Sequence, residues 1–324
     1  MGRKIVTIGL IVVAVAAIAF LLGPRVAVDT TVSFDPTVIG ADPQAYLASQ
    51  EAAVKGIRPG LEKEIIWADP VTKARTPLAI VYIHGFSASK GEVRPLPDKV
   101  AAALGANLYY ARLTGHGQDG AAMAAGSVNA WINDYAEAIA IGRAIGGKVV
   151  VIGTSTGASL ATWAASQANL SKDVATIIAI SPNYGLQAAG SELLTMPWGG
   201  LLAELTIGKE RGFAPINELH AKLWTTKYPT SAVLPLAALT KLAYATPVEA
   251  IAIPALFIFS DDDKVVRPEL TREIAGRWGA RHELAPVERS GDPFHHVLAG
   301  DALSPATTQV LADRIVAWVK AVAG

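Results

Sequence analysis

The sequence predicts an α/β fold, a mostly parallel sheet with helices on both faces, from three observations. Runs of aliphatic and β-branched residues recur at 64–67, 78–84, 107–113, 148–153, 175–180, 255–260 and 281–284. Amphipathic helical stretches separate them, at 96–104, 131–145, 157–168, 269–278 and 307–322. The central runs, as at 80–83, 149–152, 177–180 and 255–259, are apolar throughout rather than alternating, which is the mark of strands covered on both sides. One interruption breaks the alternation, the Leu-, Ala-, Trp- and Pro-rich stretch 183–253. It is too long and apolar for a simple loop and is expected to form a small helical cap, the plainer reading being extra helices at the sheet edge.

Composition sets outer bounds. With 51% apolar and 17% charged residues over 324 positions, the chain can bury a large core. Lys plus Arg equals Asp plus Glu at 28 each, so no net field gathers nucleic acid, and none is expected as partner. The absence of cysteine removes disulfides, thiolate chemistry and cysteine-bound zinc.

At the N-terminus Arg3 and Lys4 precede residues 5–22, which carry no charge and only Thr7 as a polar side chain. As a helix that run is about 27 Å long, near the thickness of a bilayer's hydrocarbon layer. The expectation is a membrane anchor over 1–25, spanning a bacterial inner membrane once and leaving the rest of the chain periplasmic. Leu22-Gly23-Pro24-Arg25 offers no small-x-small cleavage site. The competing expectation is a cleaved signal peptide, with the remainder periplasmic or secreted. Residues 26–60, broken by Asp35-Pro36, Asp42-Pro43 and Pro59-Gly60 with a helical stretch at 44–55, read as a stalk or lead-in. Residues 61–324 form the expected catalytic domain.

Chemistry concentrates at the ends of strands. Val149-Val150-Val151-Ile152 runs into Gly153-Thr154-Ser155-Thr156-Gly157, and a helical sequence follows. A strand, a sharp Gly-x-Ser-x-Gly turn and a helix together expose a serine hydroxyl, with the helix N-terminus beneath it favouring a developing anion. Ser155 is the expected nucleophile; Ser159 and Ser166 lack the flanking glycines. A serine hydroxyl needs a base, and the base needs a carboxylate to fix its tautomer. Downstream, the strand at 255–260 delivers Asp261-Asp262-Asp263, and Asp263 is preferred because it stands two residues before the apolar pair Val265-Val266, with Asp262 next. His295-His296 lies in the loop before the last helix, and His296 is preferred because Val297-Leu298 follows, with His295 as fallback. Adjacent histidines rarely aim both rings at one ion, so no metal is expected. His220 and His282 read as cap and surface residues.

The oxyanion of an acyl-transfer intermediate needs preorganised donors. After the strand at 78–84 comes His84-Gly85-Phe86-Ser87, where the Phe86 N–H supplies one expected donor and the Thr156 N–H the other. His84 and Gly85 stand at the pocket rim, with His84 buttressing the loop, and His116 in Thr114-Gly115-His116-Gly117 completes the rim.

Taken together, His84-Gly85-Phe86, the turn at 153–157, residues 260–266 and His296-Val297 resemble the α/β-hydrolase superfamily. Arg112-Leu113-Thr114-Gly115-His116-Gly117 adds a likeness to its bacterial carboxylesterase and monoacylglycerol-lipase branch. The resemblance covers 61–324 and implies a serine-based acyl-enzyme mechanism on carboxylic esters with no cofactor. Thr154, where lipases often carry His, and Ser260, where Gly is frequent, depart from the pattern without removing a catalytic group. The expected substrates are short- to medium-chain esters or acylglycerols, with Leu193, Leu194, Trp198, Leu201 and Leu202 as acyl contacts. Peptidase, thioesterase or acyltransferase action would use the same residues. A tethered, silent binding protein is the alternative outside enzymes. An aminopeptidase would want clustered acids, whereas Glu192, Glu204, Glu210 and Glu218 are scattered.

Overall fold

The computed structural model describes residues 2–323. A helix, α1 (Gly2–Leu21), and a second, α2 (Pro43–Ala53), precede the sheet. Strands β1 (Glu64–Ile66) and β2 (Thr76–Ile83) follow, then α3 (Leu96–Leu104), β3 (Asn107–Tyr110), α4 (Val128–Ile145), β4 (Gly146–Thr154) and α5 (Thr156–Ala165). A single turn, α6 (Ala168–Ser171), leads into β5 (Val174–Ile180). The interruption contains α7 (Gly199–Ile207), β6 (Glu210–Gly212), α8 (Glu218–Leu223), β7 (Lys227–Pro229) and α9 (Val233–Tyr244). The alternation resumes with β8 (Ala255–Phe259), α10 (Pro268–Arg277), β9 (His282–Pro286) and α11 (Pro305–Ala323).

Seven strands form one sheet in the order β1-β3-β2-β4-β5-β8-β9, parallel except for β1, which runs antiparallel to β3 at the edge. All seven expected strands are present. Alternation of side chains across each strand sends Val81, Val149, Val151 and Phe257 to one face, against α4, α5, α9 and α10. The opposite face takes Ile80, Tyr82, Val150, Ile152 and Leu256 against α3 and α11. The four apolar residues Val149 to Ile152 are fully buried, and each side chain contributes about 1.5–3 kcal/mol by leaving water. That explains why the central strands read as unbroken apolar runs.

Three regions differ from expectation. Residues 26–60 do not stand free as a stalk. Ile39 and Leu47 bury against the core, Tyr46 Oη donates to Glu137 Oε1 at 2.8 Å, and Lys63 pairs with the same carboxylate. Glu51 meets Arg112 at 2.7 Å with both side chains largely buried, which fixes α2 to the body. Second, the stretch 183–253 is not all peripheral: α9 packs on α5, and its Leu236 and Leu239 join the main core. Before α9, Tyr184 and Trp224 are also buried in the cores on the two faces of the sheet, while the leucines of α7 are exposed.

The third difference is the N-terminus. Among the described residues no helix is long and apolar enough to cross a membrane, so the expected spanning anchor is not supported. What stands there is α1, whose described apolar side chains, Ile5, Val6, Ile8 and Leu10 among them, are exposed. Its end meets the insertion, where Trp198 donates from its backbone to Pro24 O at 2.8 Å and from Nε1 to Ala19 O at 3.2 Å.

Candidate active site

Parallel packing puts the carboxyl ends of β2, β4, β5, β8 and β9 along one edge of the sheet, and the loops leaving that edge carry the polar residues singled out by sequence. Ser155 sits at the sharp turn between β4 and α5 with φ 50° and ψ −109°, a conformation costly for a residue with a side chain. Its flanking glycines are required by close approach. A Cβ on Gly157 would lie 2.1 Å from Ile83 O, and one on Gly153 would lie 2.6 Å from Ala158 N. The turn is held by Ser155 N–H donating to Ile180 O, at the end of the neighbouring strand β5, at 2.9 Å. Ser155 O accepts from Ser159 N at 3.0 Å, which begins α5.

Asp263 and His296 come together although 33 positions apart. Asp263 Oδ2 lies 2.8 Å from His296 Nδ1, and its Oδ1 accepts the N–H groups of Val265 (2.8 Å) and Val266 (2.9 Å). The apolar pair that pointed to Asp263 thus supplies the donors that orient it. Asp261 instead pairs with Arg272 at the surface, and Asp262 is exposed. His295 has a left-handed backbone, φ 54°, and among the described residues its Nδ1 has no hydrogen-bond partner.

The His296 loop is itself fixed by a residue that sequence reading missed. Buried Asp292 accepts the N–H groups of Phe294 (3.0 Å), His296 (3.1 Å) and Val297 (2.9 Å). Ser181 Oγ donates to His296 O at 2.7 Å. Since Ser181 directly follows the Ile180 carbonyl that holds Ser155, these two bonds set the imidazole's loop beside the nucleophile turn. No hydrogen bond joins Ser155 Oγ to His296 among the described residues. Burial pulls the His296 pKa down, but the charge and hydrogen bond of Asp263, together with Glu92 and Asp292, outweigh it and raise the pKa above the ordinary value.

The loop after β2 faces the serine turn. The N–H groups of Phe86 and Thr156 donate to no acceptor among the described residues. His84 is satisfied on both nitrogens, with Nδ1 2.8 Å from Gly85 O and Nε2 accepting from Leu113 N at 3.1 Å. Burial lowers its pKa to about 4, so the ring is neutral, and its two bonds tie the loop to Leu113. His116 is wholly buried 4.9 Å from His84, ring to ring, and its pKa is driven well down by burial and then by His84. Among the described residues its Nε2 has no hydrogen-bond partner.

The insertion closes over these loops. Thr225 N–H donates to Ser87 O at 2.7 Å, and Tyr228 of β7 packs edge-on against Phe86 at 5.3 Å. From its other side, Asn217 Nδ2 donates to Ala302 O at 2.7 Å, near the His296 loop. The insertion therefore bridges the two loops that flank Ser155. Its outer side is apolar and open, with Leu193, Leu201, Leu202 and Leu205 exposed.

Comparison with known proteins agrees with this architecture. A thermostable monoacylglycerol lipase of Bacillus sp. (strain H-257) is 28% identical over 203 residues, which span 62% of this chain and 76% of the relative. Among solved structures, one from work on the metagenome-derived lipolytic enzymes LipS and LipT superimposes with a TM-score of 0.67 at 23% identity, over 82% of this chain and 99% of its own. The monoacylglycerol lipase of Paleococcus ferrophilus gives a TM-score of 0.58 at 15% identity, over 81% and 98%. At such identities these two likenesses speak for the fold. The sequence profile of the α/β hydrolase family matches residues 80–304, which contain every site residue described above. With the sheet order, the serine turn and that match in agreement, the chain belongs to the α/β hydrolase family.

Proposed function

We infer that the chain is a serine hydrolase of carboxylic esters, acting on short- to medium-chain esters or acylglycerols through an acyl-enzyme. The observation that carries this reading is the 2.8 Å pairing of Asp263 with His296 on loops beside the strained Ser155 turn. His296 Nε2 takes the Ser155 proton as Oγ attacks the ester carbonyl, and Asp263 stabilises the imidazolium formed. The oxyanion lies against the N–H groups of Phe86 and Thr156. Collapse passes the proton from His296 to the leaving alcohol, and a water activated by the same imidazole then releases the acid. His84, Gly85 and His116 border the pocket, and the apolar insertion takes the acyl chain. Similarity to a protein named for monoacylglycerol lipase activity supports the substrate class.

The test is hydrolysis of p-nitrophenyl and monoacylglycerol esters, with fluorophosphonate labelling, by the full chain and by Ser155→Ala. The substitution is expected to lower kcat by at least about 10⁴-fold and to abolish labelling. Equal turnover by both proteins would sink the reading. As to location, we retain the second expectation, release beyond the inner membrane after removal of the apolar leader. A mature N-terminus downstream of that run supports it, and an intact N-terminus in the membrane pellet overturns it.

A further inference from the structure

Glu92 is a carboxylate with no part in the mechanism above, yet it lies against the centre of the site. It sits in the loop between β2 and α3 and is only 2% exposed. Its Oε2 accepts two hydrogen bonds, from Gly85 N–H and from Tyr82 Oη, both at 2.8 Å. Tyr82 Oη also lies 3.3 Å from Thr154 Oγ1, in the serine turn. One carboxylate oxygen thus joins the loop that carries Phe86 to the turn that carries Ser155 and Thr156.

Gly85 shows how tight this junction is. A Cβ there would lie 2.6 Å from Glu92 Oε1 and 3.2 Å from Ser155 Cβ, so a single backbone residue separates the carboxylate from the nucleophile. Using the Gly85 N–H in a bond to Glu92 fixes the peptide just before Phe86, whose own N–H is left without a protein partner. Behind Glu92, Gly300 packs against the Glu92 carbonyl and Val93, where a Cβ would lie 2.8 Å and 2.6 Å away. The loop is therefore clamped from both sides; burial raises the Glu92 pKa above the ordinary carboxylate value, while the bonds from Gly85 N–H and Tyr82 Oη favour the charged form, whose field acts strongly where water is excluded.

Building on the ester-hydrolase reading, we propose that Glu92 is a positioning residue: it holds the Phe86 and Thr156 donors in register, and its negative charge favours the imidazolium form of His296. The charged groups acting on His296 are Asp263 from the β8 loop, Asp292 from its own loop and Glu92 from the β2 loop. Around Glu92 itself the titratable groups are Tyr82 on β2 and His296. Glu92 is the one of the three acids that also touches the donor loop.

Two substitutions separate its parts. Glu92→Leu removes the acceptor and the charge; Glu92→Gln keeps an acceptor oxygen of equal reach and removes only the charge. On p-nitrophenyl butyrate, with active sites counted by fluorophosphonate titration, Glu92→Leu is expected to lower kcat about 10- to 100-fold with KM little changed, since misplaced oxyanion donors act on the transition state. Glu92→Gln is expected to lose less than about tenfold in kcat, and the acid limb of its kcat/KM profile moves to lower pH, because Asp263 and Asp292 remain while one anion near His296 is gone. A merely structural residue would lower the active fraction without moving that limb. The proposal is overturned by Glu92→Gln with the wild-type limb, or by folded Glu92→Leu with wild-type kcat. If Glu92→Leu does not fold, the limb of Glu92→Gln decides alone. Failure of the wild type to turn over esters or take the probe would instead strike the underlying functional reading.

Discussion

Ser155, Asp263 and His296 are 6%, 3% and 9% exposed, whereas Leu201, Leu202 and Leu205 in the insertion are 51%, 43% and 74% exposed. The first group is held from all sides: Asp263 by two backbone donors and an imidazole, His296 by Asp292 and Ser181, Ser155 by the Ile180 carbonyl and two close glycine contacts. The second group answers to little beyond its own helix. On the proposed reading, the groups that meet the reacting atoms lie on the rigid edge of the sheet, while those that would take a variable chain lie on an exposed surface. Chemistry would then be fixed by the fold, and substrate range set where substitution costs little stability.

The sharpest way to break this contrast is to change one atom type at the rigid edge. Asp263→Asn keeps shape and size but offers His296 Nδ1 the wrong partner, so the imidazole loses the tautomer that leaves Nε2 free to accept a proton. A fall in kcat of about 10⁴-fold is expected with the fold intact. Asp262→Asn, one residue away and exposed, is expected to behave as wild type in the same assay. If the two substitutions had similar effects, the assignment of the orienting acid would fail.

A second, milder probe is pH. His296 acts as a base only when neutral, and its pKa is raised because the three acids around it outweigh the burial that lowers it. Deprotonation on raising pH therefore switches activity on, and the acid limb of kcat/KM is expected to titrate above 6.5, the ordinary histidine value. A limb below 6.5 would mean that burial dominates and that the carboxylates are more hydrated than their positions imply.

What the sequence made legible follows the same division. The strands showed because double-sided burial demands continuous apolar residues, as in Val149 to Ile152, and the serine turn showed because it needs glycine on both sides of Ser155. Asp263 and His296 were preferred to their neighbours because each precedes an apolar pair, of which Val266, Val297 and Leu298 are buried and Val265 is exposed. Asp292 and Glu92 were missed for a physical reason: they act through backbone N–H groups, which leave no residue-type pattern. Asp292 alone left a faint mark, since Asp-Pro-Phe with a bond from the second N–H onward is an Asx turn. The lead-in was misread because its breakers suggested looseness, while the bonds that dock it, Tyr46 to Glu137 and Glu51 to Arg112, span 91 and 61 positions. The N-terminal run carried a clear hydropathy signal, but hydropathy alone does not separate an anchor from other apolar helices.

The smallest expected effect tests the other half of the contrast. Leu201→Ser with Leu202→Ser changes two half-open positions on α7 and is expected to alter stability by less than about 0.5 kcal/mol per site, as exposed substitutions usually do. If these leucines cover an acyl chain, each methylene of substrate that loses its apolar contact forfeits about 0.8 kcal/mol, or roughly fourfold in KM. The loss should grow with chain length: dodecanoyl esters would suffer while butyryl esters are hydrolysed as before, because the short acyl group reaches only the rigid edge. Unchanged selectivity across an acyl series would detach α7 from substrate binding and shift the acyl contacts to the inner side of the insertion, where Tyr228 meets Phe86. Equal losses for short and long esters would mean that the insertion governs the donor loop itself through the Thr225 bond to Ser87.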